Sequence, residues 1–181
     1  MGALFWFVAP AAAAAMTVAA AGLALASAIV GQNSPALVAP ELNGQNFDLA
    51  QLRGKVVIID FWATWCPPCR KEMPALNAFY RHYHDKGLDV IALSADRPRD
   101  RSDVVKVMQS FSYPAAMLHD AKANGFGEPS ELPTTYVVDA QGIVRAKLTP
   151  DEKPVTEQML AAVVLPLLRE RTPTQGATQG H

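Results

Sequence analysis

The stretch "KVVIIDFWATWCPPC", residues 55–69, decides how the chain is read. Residues 56–63 are apolar but for Asp60, open on four β-branched residues and show almost no polar alternation. Such a run predicts a central strand buried on both faces. The remainder holds the only two cysteines, Cys66 and Cys69. Pro67 and Pro68 suit the first turn of a helix, where no intrahelical N–H is needed. Apolar positions Met73, Leu76, Phe79, Tyr80 and Tyr83 then recur at helical spacing, and Gly87 is a suitable C-cap. Pro74 lies inside that helix and is expected to bend it. The cysteines therefore sit where a central strand hands over to a helix, the place where open α/β sheets put their chemistry.

Residues 88–95 predict a second buried strand. Residues 101–111 predict a helix capped by Ser102, with Val104, Val107, Met108 and Phe111 on one face. A short strand is expected in residues 115–120. Two β-branched runs joined at Ala140-Gln141-Gly142 predict a hairpin. A closing helix is expected to turn Val155, Met159, Val163 and Leu167 inward, with Pro166 disturbing its last turns. This order implies an α/β fold whose sheet is parallel at first and antiparallel at one edge.

A disulfide closing so small a loop gains little from loop entropy, so Cys66 and Cys69 call for another explanation. Zinc needs three or four ligands, and no second cysteine pair exists. A helix N-terminus, in contrast, offers free N–H groups and partial positive charge, which stabilise a thiolate on Cys66. Cys69, one turn on and deeper, is placed to resolve a mixed disulfide formed by Cys66. The proline pair removes two N–H donors near the Cys66 sulfur, which predicts a less acidic thiol and a more reducing couple. Asp60, in the apolar run, is expensive unless paired or functional. Trp65 is expected on the contact surface around the sulfur, with Phe61 and Trp62 in the core. Arg70, Lys71 and Glu72 read as a solvated helix face. Glu128 and Glu131 read as loop surface, or as acidic modulators of the site, and His119 has no evident partner.

Charge is unevenly distributed. Up to Leu52 the only charged side chains are Glu41 and Asp48, and the first basic residue is Arg53. A net charge of −1 with no Lys/Arg run gives no footprint for nucleic acid. Residues 3–30 are uncharged and long enough to cross a bilayer, divided by Pro10. They read either as a cleavable signal peptide, with small residues at Ala24/Ala26 or Ala26/Ala28, or as an uncleaved anchor. Both readings favour export, although neither has the usual basic leader. Residues 1–30 are thus assigned to this segment and 31–46 to a linker with a short hairpin around Asn43-Gly44. The globular domain is assigned to 47–170 and a disordered tail to 171–181.

Residues 54–76, "GKVVIIDFWATWCPPCRKEMPAL", and 132–144, "LPTTYVVDAQGIV", resemble the two signatures of TlpA/ResA-like thiol–disulfide oxidoreductases in the thioredoxin superfamily. The resemblance covers residues 47–168, with 97–122 fitting that branch's central insertion. It implies a thioredoxin fold, with a central mixed sheet flanked by helices, and catalytic Cys66 and Cys69. It further implies a cis peptide before Pro133, a Leu132 backbone free to pair with substrate, and Asp60 as a proton relay. No cofactor beyond the redox-active disulfide and no metal is expected. The implied setting is the periplasm or cell envelope, with disulfide-bearing clients and a membrane electron donor. Family clients include the haem-site cysteines of apocytochrome c and copper-assembly proteins. A thioredoxin-fold copper metallochaperone is the alternative, weakened because such proteins place three residues between their cysteines. A peroxidase reading is weakened by Ala63, where peroxiredoxins carry Thr.

Overall fold

The structure is a computed structural model and describes residues 28–150 and 155–171. Most of the expected signal or anchor segment and nearly all of the expected tail lie outside the described residues. Among the described residues, no helix is long and apolar enough to cross a membrane.

The strand expected at residues 55–63 is β3, Val56–Trp62, and every residue in it is buried. It pairs in parallel with β4, Leu88–Ser94, which pairs in parallel with β5, Ala115–Met117. On its other side β3 runs antiparallel to β7, Thr134–Val138, and β7 to β8, Val144–Leu148. The main sheet therefore has the order β5-β4-β3-β7-β8, parallel on one side of β3 and antiparallel on the other. A second, antiparallel sheet is formed by β1, Leu37–Pro40, between β2, Asn46–Asp48, and β6, Ala123–Asn124. Gly44 makes the β1–β2 turn at a φ of 87°, a conformation that favours glycine.

The helices are α1, Pro67–Tyr83, α2, Arg101–Met108, and α3, Glu157–Arg171. Side chains alternate across β3, so its two faces feed two cores. Val56, Ile58 and Trp62 pack with Met73, Leu76 and Phe79 of α1, Val104 and Met108 of α2, and Leu160 and Val164 of α3. Val57, Ile59 and Phe61 pack with Leu37, Ala39 and Phe47 of the small sheet, and with Phe126 and Tyr136. Burial on both faces explains why β3 reads as a continuous apolar run.

Three expectations are corrected. The stretch 31–46 carries more than a linker: β1 and half of the β1–β2 hairpin lie in it, with Leu37 and Ala39 in the core. The chain reaches α2 through a 3₁₀ turn, Pro98–Asp100, so Ser102 lies inside the helix and Asp100 takes the cap position, its carboxylate bonded to Arg97 and making no capping bond to the helix. In α3 the buried stripe is Leu160, Val164, Leu167 and Leu168, while Met159 is 38% exposed. Val155 and Leu167 are buried as expected, but Val155 precedes the helix, and along α3 itself Leu160 and Val164 take the core face in place of Met159 and Val163.

Candidate active site

α1 begins at the end of β3, and Cys66 is its N-cap. The Cys69 N–H donates to the Cys66 sulfur at 3.3 Å. Pro67 and Pro68 occupy the intervening positions and have no N–H to offer, so the donor nearest along the helix is Cys69's own. Cys66 and Cys69 are joined as a disulfide. Cys69 is 0% exposed and Cys66 is 3% exposed, and Cys66 lines a cleft of about 500 Å³. Of the two sulfurs, a partner thiol reaches Cys66 first.

The cleft brings together several residues singled out in the sequence. Trp65, 66% exposed, lines it together with Cys66, Pro67 and Leu132. The Leu132–Pro133 peptide is cis, and Pro133 is buried where the chain enters β7. Glu128 and Glu131 are both loop surface and cleft lining. His119 also lines it and has a partner after all, the Asp120 carboxylate at 3.0 Å. Phe61 and Trp62 are core, as expected.

The two elements that meet at the disulfide each carry a buried carboxylate. Asp60 is wholly buried on the β3 face that also carries Ile58 and Trp62, and its Oδ1 accepts from the Thr135 hydroxyl at 3.2 Å. Burial pushes its pKa up to about 7, against a smaller lowering by that hydrogen bond. Glu72, expected on a solvated face, is also wholly buried. Its Oε2 accepts the Val155 N–H at 3.1 Å, tying α1 to the segment that leads into α3. Burial, then the neighbouring Asp60 charge, push the Glu72 pKa up to about 8. Asp60 Oδ2 and Glu72 Oε1 are buried without a hydrogen-bond partner. Groups so placed are poised to take or give a proton near neutral pH. The signal for Glu72 was available in the sequence: it lies three residues after Cys69 and four before Leu76, on the helix face that carries both.

The AhpC/TSA family matches residues 30–147. The thiol-disulfide oxidoreductase ResA of a Bacillus cereus strain is 35% identical over 119 residues, 66% of this chain and 69% of that protein. Its namesake in Bacillus subtilis (strain 168) is 31% identical over 116 residues, 63% of this chain and 64% of that one. A thiol:disulfide interchange protein of the thioredoxin family from Chlorobium tepidum TLS superposes with a TM-score of 0.62 at 26% identity, covering 76% of this chain and 96% of that one. The thioredoxin domain of a thiol-disulfide oxidoreductase from Bacteroides vulgatus gives 0.60 at 26% identity, covering 78% and 99%. The likeness runs through the strand–helix junction that holds the disulfide and through most of the described fold. The chain belongs to the AhpC/TSA family, and within it is a thiol–disulfide oxidoreductase of the TlpA/ResA-like kind.

Proposed function

We propose that this oxidoreductase works outside the cytoplasm as a reductase of client disulfides, with Cys66 as the attacking sulfur. The observation that carries the reading is the asymmetry of the pair: Cys66 lines the cleft and Cys69 is sealed beneath it. In the reduced protein the Cys66 thiolate attacks one sulfur of the client disulfide. A Cys66–client bond forms, and the client's other sulfur leaves as a thiolate. The Cys69 thiolate then attacks Cys66, releases the client's second sulfur and forms the Cys66–Cys69 bond. Two electrons pass to the client, whose thiolates each take up a proton. A two-electron donor at the membrane completes the cycle.

Asp60 and Glu72 would accept the proton that Cys69 must lose before it attacks. The cleft beside Trp65 and Leu132 would take the client strand, with the Leu132 backbone pairing to it ahead of Pro133. The scarcity of backbone donors at Cys66 supports the reducing direction. The apolar segment 3–30 supports work in the periplasm or cell envelope, by anchoring or by secretion. The resemblance supports haem-site cysteines of apocytochrome c, or copper-assembly proteins, as clients. For the copper-binding alternative, no group of three or more His, Cys, Asp or Glu is placed to hold a metal among the described residues.

The test is a Cys69→Ser variant expressed in its own host. Mixed disulfides should accumulate on Cys66, and mass spectrometry then identifies the client. Accumulation on Cys69 in the reciprocal Cys66→Ser variant, and none in Cys69→Ser, would reverse the assignment.

A further inference from the structure

The two residues before Cys66 form an irregular turn, closed by a Cys66 N–H bond to the Ala63 carbonyl at 3.1 Å. What holds this turn against the sheet is a side chain from the loop that follows the neighbouring strand. Asp96, two residues beyond β4, is 3% exposed. Its Oδ2 accepts the Thr64 N–H at 2.8 Å and its Oδ1 accepts the Thr64 hydroxyl at 2.6 Å. The Ser94 hydroxyl donates to Oδ2 at 2.8 Å and accepts the Asp96 N–H at 3.1 Å. The preceding N–H, of Ala95, donates to the Trp62 carbonyl at 2.8 Å and extends the β3–β4 ladder to the turn. Every side-chain contact is a donor aimed at the carboxylate. Asp96 also lines the cleft that Cys66 lines.

We propose that Asp96 is a positioning residue for disulfide exchange, clamping the turn that delivers Cys66 and setting a fixed negative charge on its cleft. The proposal rests on the reading of Cys66 as the attacking sulfur. The clamp holds the sulfur in line for attack, since small displacements of a reacting atom cost large factors in rate. The charge disfavours a neighbouring thiolate and so acts in the same direction as the prolines.

Clamp and charge are separable by substitution. Asp96→Asn keeps an oxygen for the Thr64 N–H and the Ser94 hydroxyl, while its amide can donate to the Thr64 hydroxyl oxygen, so the charge goes and the clamp stays. Asp96→Ala removes both. Thr64→Val keeps the charge and loses one strut. The experiment is the pH profile of the rate at which the reduced full chain attacks oxidised glutathione, which reports a midpoint and a high-pH plateau. Asp96→Ala should lower the plateau by on the order of tenfold. Asp96→Asn should recover most of it while moving the midpoint to lower pH. Thr64→Val should lower the plateau without lowering the midpoint, and it carries the test together with Asp96→Asn if Asp96→Ala does not fold. Profiles of these variants superimposing on that of the wild type would leave Asp96 with a structural role only and overturn the proposal. A wild-type profile insensitive to Cys66→Ser would instead overturn the reading of Cys66, and the proposal with it.

Discussion

At Cys66 the helix N-terminus and the two prolines act in opposite directions. The helix end offers positive potential, while Pro67 and Pro68 take away the donors that would deliver it at closest range. Restoring one donor with Pro68→Ala should therefore make Cys66 several-fold more acidic and the disulfide more oxidising. Thiolate titration and equilibration against glutathione check this, and an unchanged midpoint would remove the argument. Asp60 and Glu72 belong to the same scale. Glu72→Gln keeps an oxygen for the Val155 N–H but gives up the titrating group. The release of the mixed disulfide by Cys69 should then slow by about 10- to 100-fold near neutral pH, with its pH dependence flattened, as followed by rapid-quench kinetics.

At the scale of elements, the β3–α1 junction was legible because every local signal agrees there. The run is apolar on both faces, prolines stand where a helix tolerates them, and Gly87 ends the segment in the left-handed region, at a φ of 93°. α3 was legible as a helix but not in its phase. Ala, Val and Leu surround much of it, and the packing against α1 and β3 chooses the stripe. That choice can be measured. Leu160→Ala should cost about 2–5 kcal/mol in urea unfolding, while Met159→Ala should stay within about 0.5 kcal/mol. A larger loss at Met159 would return the helix to the phase expected from the sequence.

For the molecule as a whole, the buried carboxylates make stability depend on pH. Asp60 and Glu72 hold their protons up to about pH 7 and 8 in the folded state, whereas in the unfolded chain they release them near the ordinary carboxylate values. The folded state thus binds more protons between about pH 4 and pH 8, and the contribution of these groups falls as pH rises through that window. Asp60→Asn keeps the acceptor for Thr135 and should be more stable than the wild type at pH 8, by on the order of 2 kcal/mol. The gain should vanish near pH 4, which denaturant titrations at the two pH values test. A gain largest in acid would contradict the sign. The fold carries this cost at the place where the proposed chemistry needs a proton acceptor.

The strand–helix junction, the two thiols seated on it and the hairpin that follows are written locally, because they depend on spacing and backbone chemistry within a few residues. The rest came from long-range packing. Glu72 became a buried acid because the segment before α3 covers α1. Residues 37–40 joined the core because the second face of β3 needed a cover. Asp96 reached the active-site turn because β4 lies beside β3. Each of these is a contact between segments distant along the chain, and burial and partner are set there by what packs opposite.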